Sequence, residues 1–249
     1  LKHWRMYSKM ERIKNHYIIC GFNETSKEIM RSFMKRNIQF ILIDPEESNR
    51  QPIIDFGVEF YAIAQPQRRD VMLGLFIEDS KGLITTFDDD TLDISIIVTA
   101  RLIMPDKEKY YIFSTSTTEM DSEKMKLLGA NEVIVPAVTT GRRITSYVVH
   151  PPSQAMSSFL DLVAYGEKSN IDIVEIKISD ESEIAGKTIG ESQFKTKTGT
   201  NIIATVNSNG QINTIPDIHT VLKAGTSIIV LGTPQQLEKV ATYSTGGRS

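Results

Sequence analysis

One stretch, residues 17–35, constrains the fold of this chain more than any other. It begins as a short apolar run that ends on Gly21, and an amphipathic helical pattern follows at once. Thr25 and Glu28 have the spacing of a capping box, which predicts that the helix begins there. About twenty residues after Gly21, a second apolar run ends at Asp44. A strand, a glycine turn, a helix, a second strand and a terminal acid, in this order, are typical of a dinucleotide-binding α/β unit.

The glycine pattern of that unit is incomplete in this sequence. A G-x-G-x-x-G motif would also have glycine at positions 23 and 26, which are Asn23 and Ser26 here. The backbone amides at the start of the helix remain, and such amides can hold a phosphate. Two interpretations therefore stay open. The turn is either a working nucleotide site or part of a doubly wound scaffold that has lost or changed its ligand.

Composition excludes several classes of protein. The 249 residues are enough for one large or two modest domains, and 40% hydrophobic with 24% charged residues is ordinary for a globular chain. The net charge of −3 argues against binding nucleic acid through bulk electrostatics. No apolar run approaches the roughly 18 residues of a membrane helix. Cys20 is the one cysteine, which excludes an intrachain disulfide, and its position in the first strand predicts a small buried side chain.

Apolar runs alternate with amphipathic segments over the first half of the chain. The predicted strands lie near 17–20, 40–43, 58–63, 83–86, 110–113 and 132–135. The predicted helices lie near 25–36, 49–56, 68–76, 90–104 and 119–128. Because the runs lack strict alternation, we expect strands that are buried on both faces of a parallel sheet. Asp90 with Asp93 is predicted to cap the fourth helix, and Gly129 to end the fifth.

The pattern changes after Pro136. A helix is predicted over 139–149, Pro151-Pro152 stops it, and a second helix is predicted from Ser153 to about Ala164. Both helices carry apolar residues on one face, so the pair is either an arm that packs on a partner subunit or a cover for its own sheet. The exposed arm face would include Phe159 and Leu160.

The last part of the chain has the pattern of an antiparallel sheet. Residues 171–178 nearly alternate, as a half-buried strand does, and the turn 207–210 joins two strands as a hairpin. Residues 227–231 form another predicted strand, and Pro234 begins a last helix. These elements predict a small C-terminal α+β domain that follows the Rossmann-like, doubly wound parallel sheet.

Five features in this order resemble the RCK domains (regulators of potassium conductance), which consist of a TrkA-N and a TrkA-C part. They are Gly21 with Asp44, the LGANEVIVP stretch at 128–136, Gly141-Arg142, the GKTIG stretch at 186–190, and the LKAGTSIIVLG stretch at 222–232. Thr226 stands where the last stretch usually has aspartate. The resemblance implies four segments: a linker (1–16), a Rossmann-like TrkA-N lobe (17–137), a helix-turn-helix dimerisation arm (138–168) and a TrkA-C domain (169–245).

The resemblance implies a regulator and not an enzyme. RCK domains pair through the arm as homodimers and assemble into a ring of eight on the cytoplasmic face of the cell membrane, where ligand binding gates a potassium channel. The basic segment 1–16 would then connect to a membrane pore domain upstream in the same chain. The alternative is a regulatory nucleotide-binding subunit, or tail, of a potassium uptake or potassium/proton antiport system. A nicotinamide-dependent oxidoreductase is disfavoured by the incomplete glycine motif.

The resemblance also implies where a ligand would bind. For a nucleotide (NAD, ADP or ATP), the cofactor-binding residues carried over are Gly21, Phe22, Asn23, Glu24, Thr25 and Asp44, together with Thr86 and Asp88 after the fourth strand. An aspartate usual after the third strand is missing here. Calcium-gated members place carboxylates where this chain has Thr86, Thr115 and Thr117. The acidic run 88–90 is then either the start of a helix or a displaced site for a divalent cation.

Overall fold

The computed structural model describes residues 13–165 and 171–246. Residues up to Val149 form one compact unit, and residues from His150 form a second. Most of the predicted linker 1–16, up to residue 12, lies outside the described residues. The end of the predicted arm, residues 166–168, lies outside them as well.

The first unit is a six-stranded parallel sheet in the order β3-β2-β1-β4-β5-β6. Its strands are β1 (Tyr17–Cys20), β2 (Phe40–Asp44), β3 (Tyr61–Ile63), β4 (Gly82–Thr85), β5 (Tyr111–Thr115) and β6 (Glu132–Ile134). Its helices are α1 (Glu24–Lys35), α2 (Arg50–Phe56), α3 (Arg69–Gly74), α4 (Asp90–Ile103), α5 (Glu119–Leu127) and α6 (Pro136–Val149). The predicted Rossmann-like fold is confirmed.

Two apolar cores lie on opposite faces of this sheet. On one face, α1 and α2 pack on β1 and β2 through Ile19, Met30, Leu42 and Ile53. On the other face, α4 and α5 contribute residues to a core that includes Ile18, Ile43, Ile97, Ile112 and Met125. Because β1 and β2 lie between two helical layers, both are nearly continuous runs of buried residues, as predicted.

The prediction that every strand is buried on both faces is wrong for β5. Tyr111 and Phe113 are 49% and 37% exposed, and their rings stack with centroids 5.6 Å apart. On β6, Ile134 pairs in register with Thr115, so it lies on the same face, and it is 52% exposed. No helix of the described residues covers these three side chains. We call them the open face of the sheet.

Helix α6 does not fold back onto this sheet. Val135 is the one residue between β6 and α6, and its carbonyl oxygen already accepts a helical bond from the Thr139 amide at 3.0 Å. Strand-to-helix connections that reverse direction usually need about two to six residues. The helix therefore starts at Pro136 rather than at the predicted Thr139, and none of its residues is buried. The alternative that this helix covers its own sheet is wrong.

The second unit is an antiparallel sheet in the order β7-β10-β8-β9. Its strands are β7 (Asp172–Lys177), β8 (Asn201–Val206), β9 (Ile212–Asn213) and β10 (Ser227–Gly232). Its helices are α7 (Gln154–Tyr165), α8 (Ile189–Ser192), α9 (Phe194–Thr198) and α10 (Pro234–Thr245). The predicted β8–β9 hairpin and the start of α10 at Pro234 are confirmed. Within the described parts of both units, no helix combines the length and apolar character needed to cross a membrane.

Two helix caps differ from the sequence predictions. Asn23, and not Thr25, caps α1 and forms a capping box with Ser26, because the tight turn at Gly21 (φ +99°) brings the chain into the helix sooner. Asp89, and not Asp90, caps α4, through its bonds to the amides of the first helical turn. Gly129, which was predicted to end α5, follows that helix with a positive φ of +123°.

The close approach of β4 to β5 makes one glycine of the sheet sensitive to substitution. A Cβ atom at Gly82 would lie 2.7 Å from the Tyr111 carbonyl oxygen, which cannot move without breaking the strand pairing. We predict that Gly82→Ala lowers the free energy of unfolding by about 1–3 kcal/mol in urea titrations. Gly74→Ala is the matched control, because nothing lies within 4 Å of its Cβ position. Equal stability of the two variants would contradict this account.

Candidate functional site

The candidate site lies at the carboxyl ends of three neighbouring strands. β1 pairs with β2 on one side and with β4 on the other, so the strand order reverses direction next to β1. Doubly wound sheets bind their ligands in the crevice at such a switch point. The turn at Gly21, the end of β2 at Asp44 and the loop after β4 at Thr86 all meet there. We call this space the switch-point crevice.

The amides of the turn after β1 are largely engaged by the chain itself. The Phe22 amide donates to Asp44 Oδ2 at 2.7 Å, and the Asn23 amide donates to Ser26 Oγ at 2.9 Å. The Ser26 amide donates to Asn23 Oδ1 at 3.0 Å. A phosphate at this turn could thus accept hydrogen bonds from the amides of Glu24 and Thr25. These are the first residues of α1, so no preceding helical turn supplies a carbonyl oxygen for their amides.

Asp44 ties two loops together. Its Oδ2 accepts the Phe22 amide, and its Oδ1 accepts the Glu46 amide at 2.8 Å and Asn49 Nδ2 at 2.9 Å. The side chain is 2% exposed, so a ribose could reach these oxygens only if the surrounding loops opened. Asn49 was not singled out from the sequence. Its position five residues after the acid gave no signal, because it lies in a short 3₁₀ turn.

The loop after β4 closes the crevice from the opposite side. Asn23 Nδ2 donates to the carbonyl oxygen of Thr86, which bridges the two loops. The Thr86 amide donates to the Cys20 carbonyl oxygen at 3.1 Å, and this extends the β1–β4 pairing by one residue. The ring of Phe87 lies on Gly21, where a Cβ atom would be 3.3 Å from the ring carbons. Side chains of this protein therefore fill the crevice.

The predicted site residues divide into two groups. Gly21, Phe22, Asn23, Asp44 and Thr86 come together around the crevice and are buried or half-buried. Glu24 and Thr25 lie on the exposed first turn of α1, and Asp88 is exposed in the loop that leads into α4.

The acidic run 88–90 supports the start of α4 and links two loops. Asp89 caps the helix, and Asp90 accepts bonds from the Thr117 hydroxyl at 2.6 Å and from the Ser116 hydroxyl at 3.1 Å. Asp90 thereby fastens the loop after β5 to the first turn of α4. Over residues 13–165 and 171–246, no three His, Cys, Asp or Glu side chains lie close enough together to hold a metal ion.

Asp93 is a buried carboxylate beneath this loop that sequence reasoning assigned to a cap. Its Oδ1 accepts the Thr85 hydroxyl and, at 3.4 Å, the Phe87 amide, while its Oδ2 has no partner among the described atoms. Burial, with a smaller contribution from the nearby charges of Asp90 and Asp89, raises its pKa to about 7. The spacing gave a signal, because Asp93 lies three, four and seven residues before the buried Ile96, Ile97 and Ala100.

Family comparisons agree with this architecture. Residues 17–136 match the TrkA-N domain, and residues 173–244 match the TrkA-C domain, so the two matches cover about three quarters of the chain. The chain belongs to the RCK family. The predicted resemblance is thus confirmed, and the chain is homologous to the RCK domains of potassium channels.

Three relatives illustrate the extent of the similarity of this RCK chain. Potassium channel protein 1 of Methanocaldococcus jannaschii is 29% identical over 249 residues, which are 98% of this chain and 72% of that protein. The TrkA-N domain of the inner membrane protein ybaL from Escherichia coli is 18% identical, with a TM-score of 0.51, over 55% of this chain and 98% of that one. A GsuK channel bound to NAD is 21% identical, with a TM-score of 0.45. That match covers 93% of this RCK chain but only 40% of the channel chain.

The buried Asp93 predicts an unusual dependence of stability on pH. Its pKa of about 7 in the folded protein lies well above the ordinary value, so the folded state keeps a proton that the unfolded state releases. Stability should therefore fall as pH rises from about 5 to 7, by up to ~1.4 kcal/mol per pH unit, and level off above about pH 8. Asp93→Asn removes this contribution.

Urea titrations of both proteins at pH 5, 6, 7 and 8 measure the effect. The difference between wild type and Asp93→Asn isolates Asp93, because every other titrating group is common to the two. We expect wild type to lose stability relative to Asp93→Asn as pH rises. A difference that stays constant over this range would show that Asp93 titrates normally.

Proposed function

We propose that this RCK chain is the ligand-sensing regulatory part of a potassium channel and acts at the cytoplasmic face of the membrane. Similarity to an archaeal potassium channel protein over 98% of the chain supports this proposal. A pore domain would precede the lobe in the same polypeptide and connect to it through residues 1–16. The chain would act by changing shape when a ligand binds, and not by catalysis.

One observation carries the pairing part of the proposal. The open face of the sheet lacks a helical layer, and α6 leaves the end of β6 in a direction that cannot supply it. Helix α6 itself exposes Ile144, Val148 and Val149. A second copy of the chain has the missing helix, and in a two-fold pair each copy would cover the open face of the other. Such a mutual exchange buries both apolar surfaces at once.

Helix α7 extends this apolar surface along the sequence. Its exposed residues include Met156, Phe159 and Leu160, and none of its side chains up to Asp161 is buried. We therefore propose that α6 and α7, which follow one another directly, form the dimerisation arm.

A second apolar surface on the first unit supports a ring. Helix α4 exposes Leu102, and α5 with the residue after it exposes Met120, Leu127 and Leu128. This surface is separate from the open face, because α4 and α5 pack on the opposite side of the sheet. A closed ring of dimers needs two different self-associating surfaces on each chain. Four homodimers joined through α4 and α5 would make the octameric ring.

A chain of contacts leads from the crevice to both surfaces. The loop after β4 contacts the turn at Gly21 and continues into α4, and Asp90 bonds that start of α4 to the loop after β5. β5 carries the open face, and α5 carries part of the ring surface. A ligand that moves the loop after β4 would thus favour one arrangement of the paired lobes over another. The candidate ligands are a nucleotide (NAD, ADP or ATP) or a divalent cation.

Charged substitutions at the two pairing surfaces test this proposal. Phe113→Glu on the open face and Phe159→Asp on α7 should each reduce the mass of the purified protein in light scattering, because a buried carboxylate would oppose association. Ile215→Glu is the matched control, since Ile215 is highly exposed in a loop of the second unit and belongs neither to the open face nor to the arm helices α6 and α7. An unchanged mass for both Phe113→Glu and Phe159→Asp would contradict the proposed pairing.

A further inference from the structure

We propose that Phe87 controls the access of a nucleotide to the switch-point crevice. Its ring occupies the space over Gly21, so a nucleotide phosphate can enter only when the ring swings out. This inference rests on the proposed function, in which the crevice is the ligand site, and names the residue that controls access to it.

The position of Phe87 is specific to the crevice. It lies in the loop after β4, directly across from the turn after β1, and three of its ring carbons would be within 3.4 Å of a Cβ atom at Gly21. The absence of a side chain at Gly21 normally leaves room at this turn. In this chain the aromatic ring takes that room. A Cβ atom at Gly21 would press on this ring, in addition to the strain that a φ of +99° imposes on residues other than glycine.

The ring can leave without disturbing the strand. The preceding residue, Thr86, is held by the hydrogen bond that its amide donates to the Cys20 carbonyl oxygen at 3.1 Å. The following residue, Asp88, is exposed. The Phe87 amide makes one long bond of 3.4 Å, to Asp93 Oδ1. The side chain is half-buried and held by apolar contacts with the core. Rotation of the ring therefore costs apolar contact and leaves the β1–β4 pairing in place.

Removal of the ring would open a path to the unbonded amides of Glu24 and Thr25. Glu24 carries a negative charge there, but Lys27 Nζ is 2.7 Å from its carboxylate and 4.9 Å from the Phe22 ring centre, so a cation stands next to the turn. The Asn23–Thr86 bridge still crosses the crevice and would have to break when a diphosphate lies along the turn. The ring of Phe87 and the hydrogen bond from Asn23 to Thr86 thus both block a diphosphate from the turn. The ring of Phe87 is the larger obstacle.

A series of side chains of decreasing size tests the proposal. The affinity for ADP, measured by isothermal titration calorimetry, should increase in the order wild type, Phe87→Leu, Phe87→Ala. We expect at least a tenfold lower Kd for Phe87→Ala than for wild type. Circular dichroism melts of the same samples establish that each variant is folded. Ile215→Ala, which shortens a highly exposed side chain in a loop of the second unit, is the control and should bind ADP as wild type does.

The outcomes distinguish a failure of the role of Phe87 from a failure of the proposed nucleotide site. Equal affinity across the series, or weaker binding by Phe87→Ala, would overturn the role of Phe87 and leave the nucleotide crevice in place. If neither wild type nor any folded variant binds ADP, both the role of Phe87 and the nucleotide part of the proposed function are wrong. The mass of the Phe113→Glu and Phe159→Asp variants would still test the pairing separately.

Discussion

A single residue between β6 and α6 determines much of what this chain can do. With Val135 alone as the connection, the helix continues away from the sheet and cannot turn back over it. Tyr111, Phe113 and Ile134 then remain exposed, although β1 and β2 are covered on both faces. Burial of apolar surface is the main favourable term in association, so this geometry favours pairing with a second copy.

In the switch-point crevice, groups of the chain itself occupy most of the positions that a ligand would use. Three of the turn amides, both oxygens of Asp44 and the space over Gly21 are all occupied by groups of the chain itself. A ligand must replace these contacts one by one, so its binding is tied to movement of the loop after β4. Such a link between occupancy and loop position is what a sensor requires, because a ligand shifts an equilibrium only through different contacts in the two states.

Sequence reasoning recovered the layout of the fold but not the occupants of the site. The strands and helices were predictable because apolar runs of strand length alternate with amphipathic segments, and the family followed from short stretches such as residues 128–136. The open face at β5 was missed because Tyr111 and Phe113 have the same apolar character as buried residues. Phe87 was missed because an aromatic residue in a loop carries no periodic signal. Asn23 was read as a lost glycine, whereas it caps α1 and bridges the crevice.

The most direct test of the account is disulfide cross-linking between differently tagged copies. One copy carries Ile134→Cys on the open face, and the other carries Val148→Cys on α6, with Ile144→Cys and Val149→Cys tested in turn. The native Cys20 is buried and does not compete. The account predicts that oxidation of the mixture gives a disulfide-linked pair containing one copy of each tag. The account would be contradicted if the oxidised mixture stayed monomeric with each of the three α6 cysteines. It would also be contradicted if a chain that carries Ile134→Cys together with one of the α6 cysteines formed the disulfide within itself.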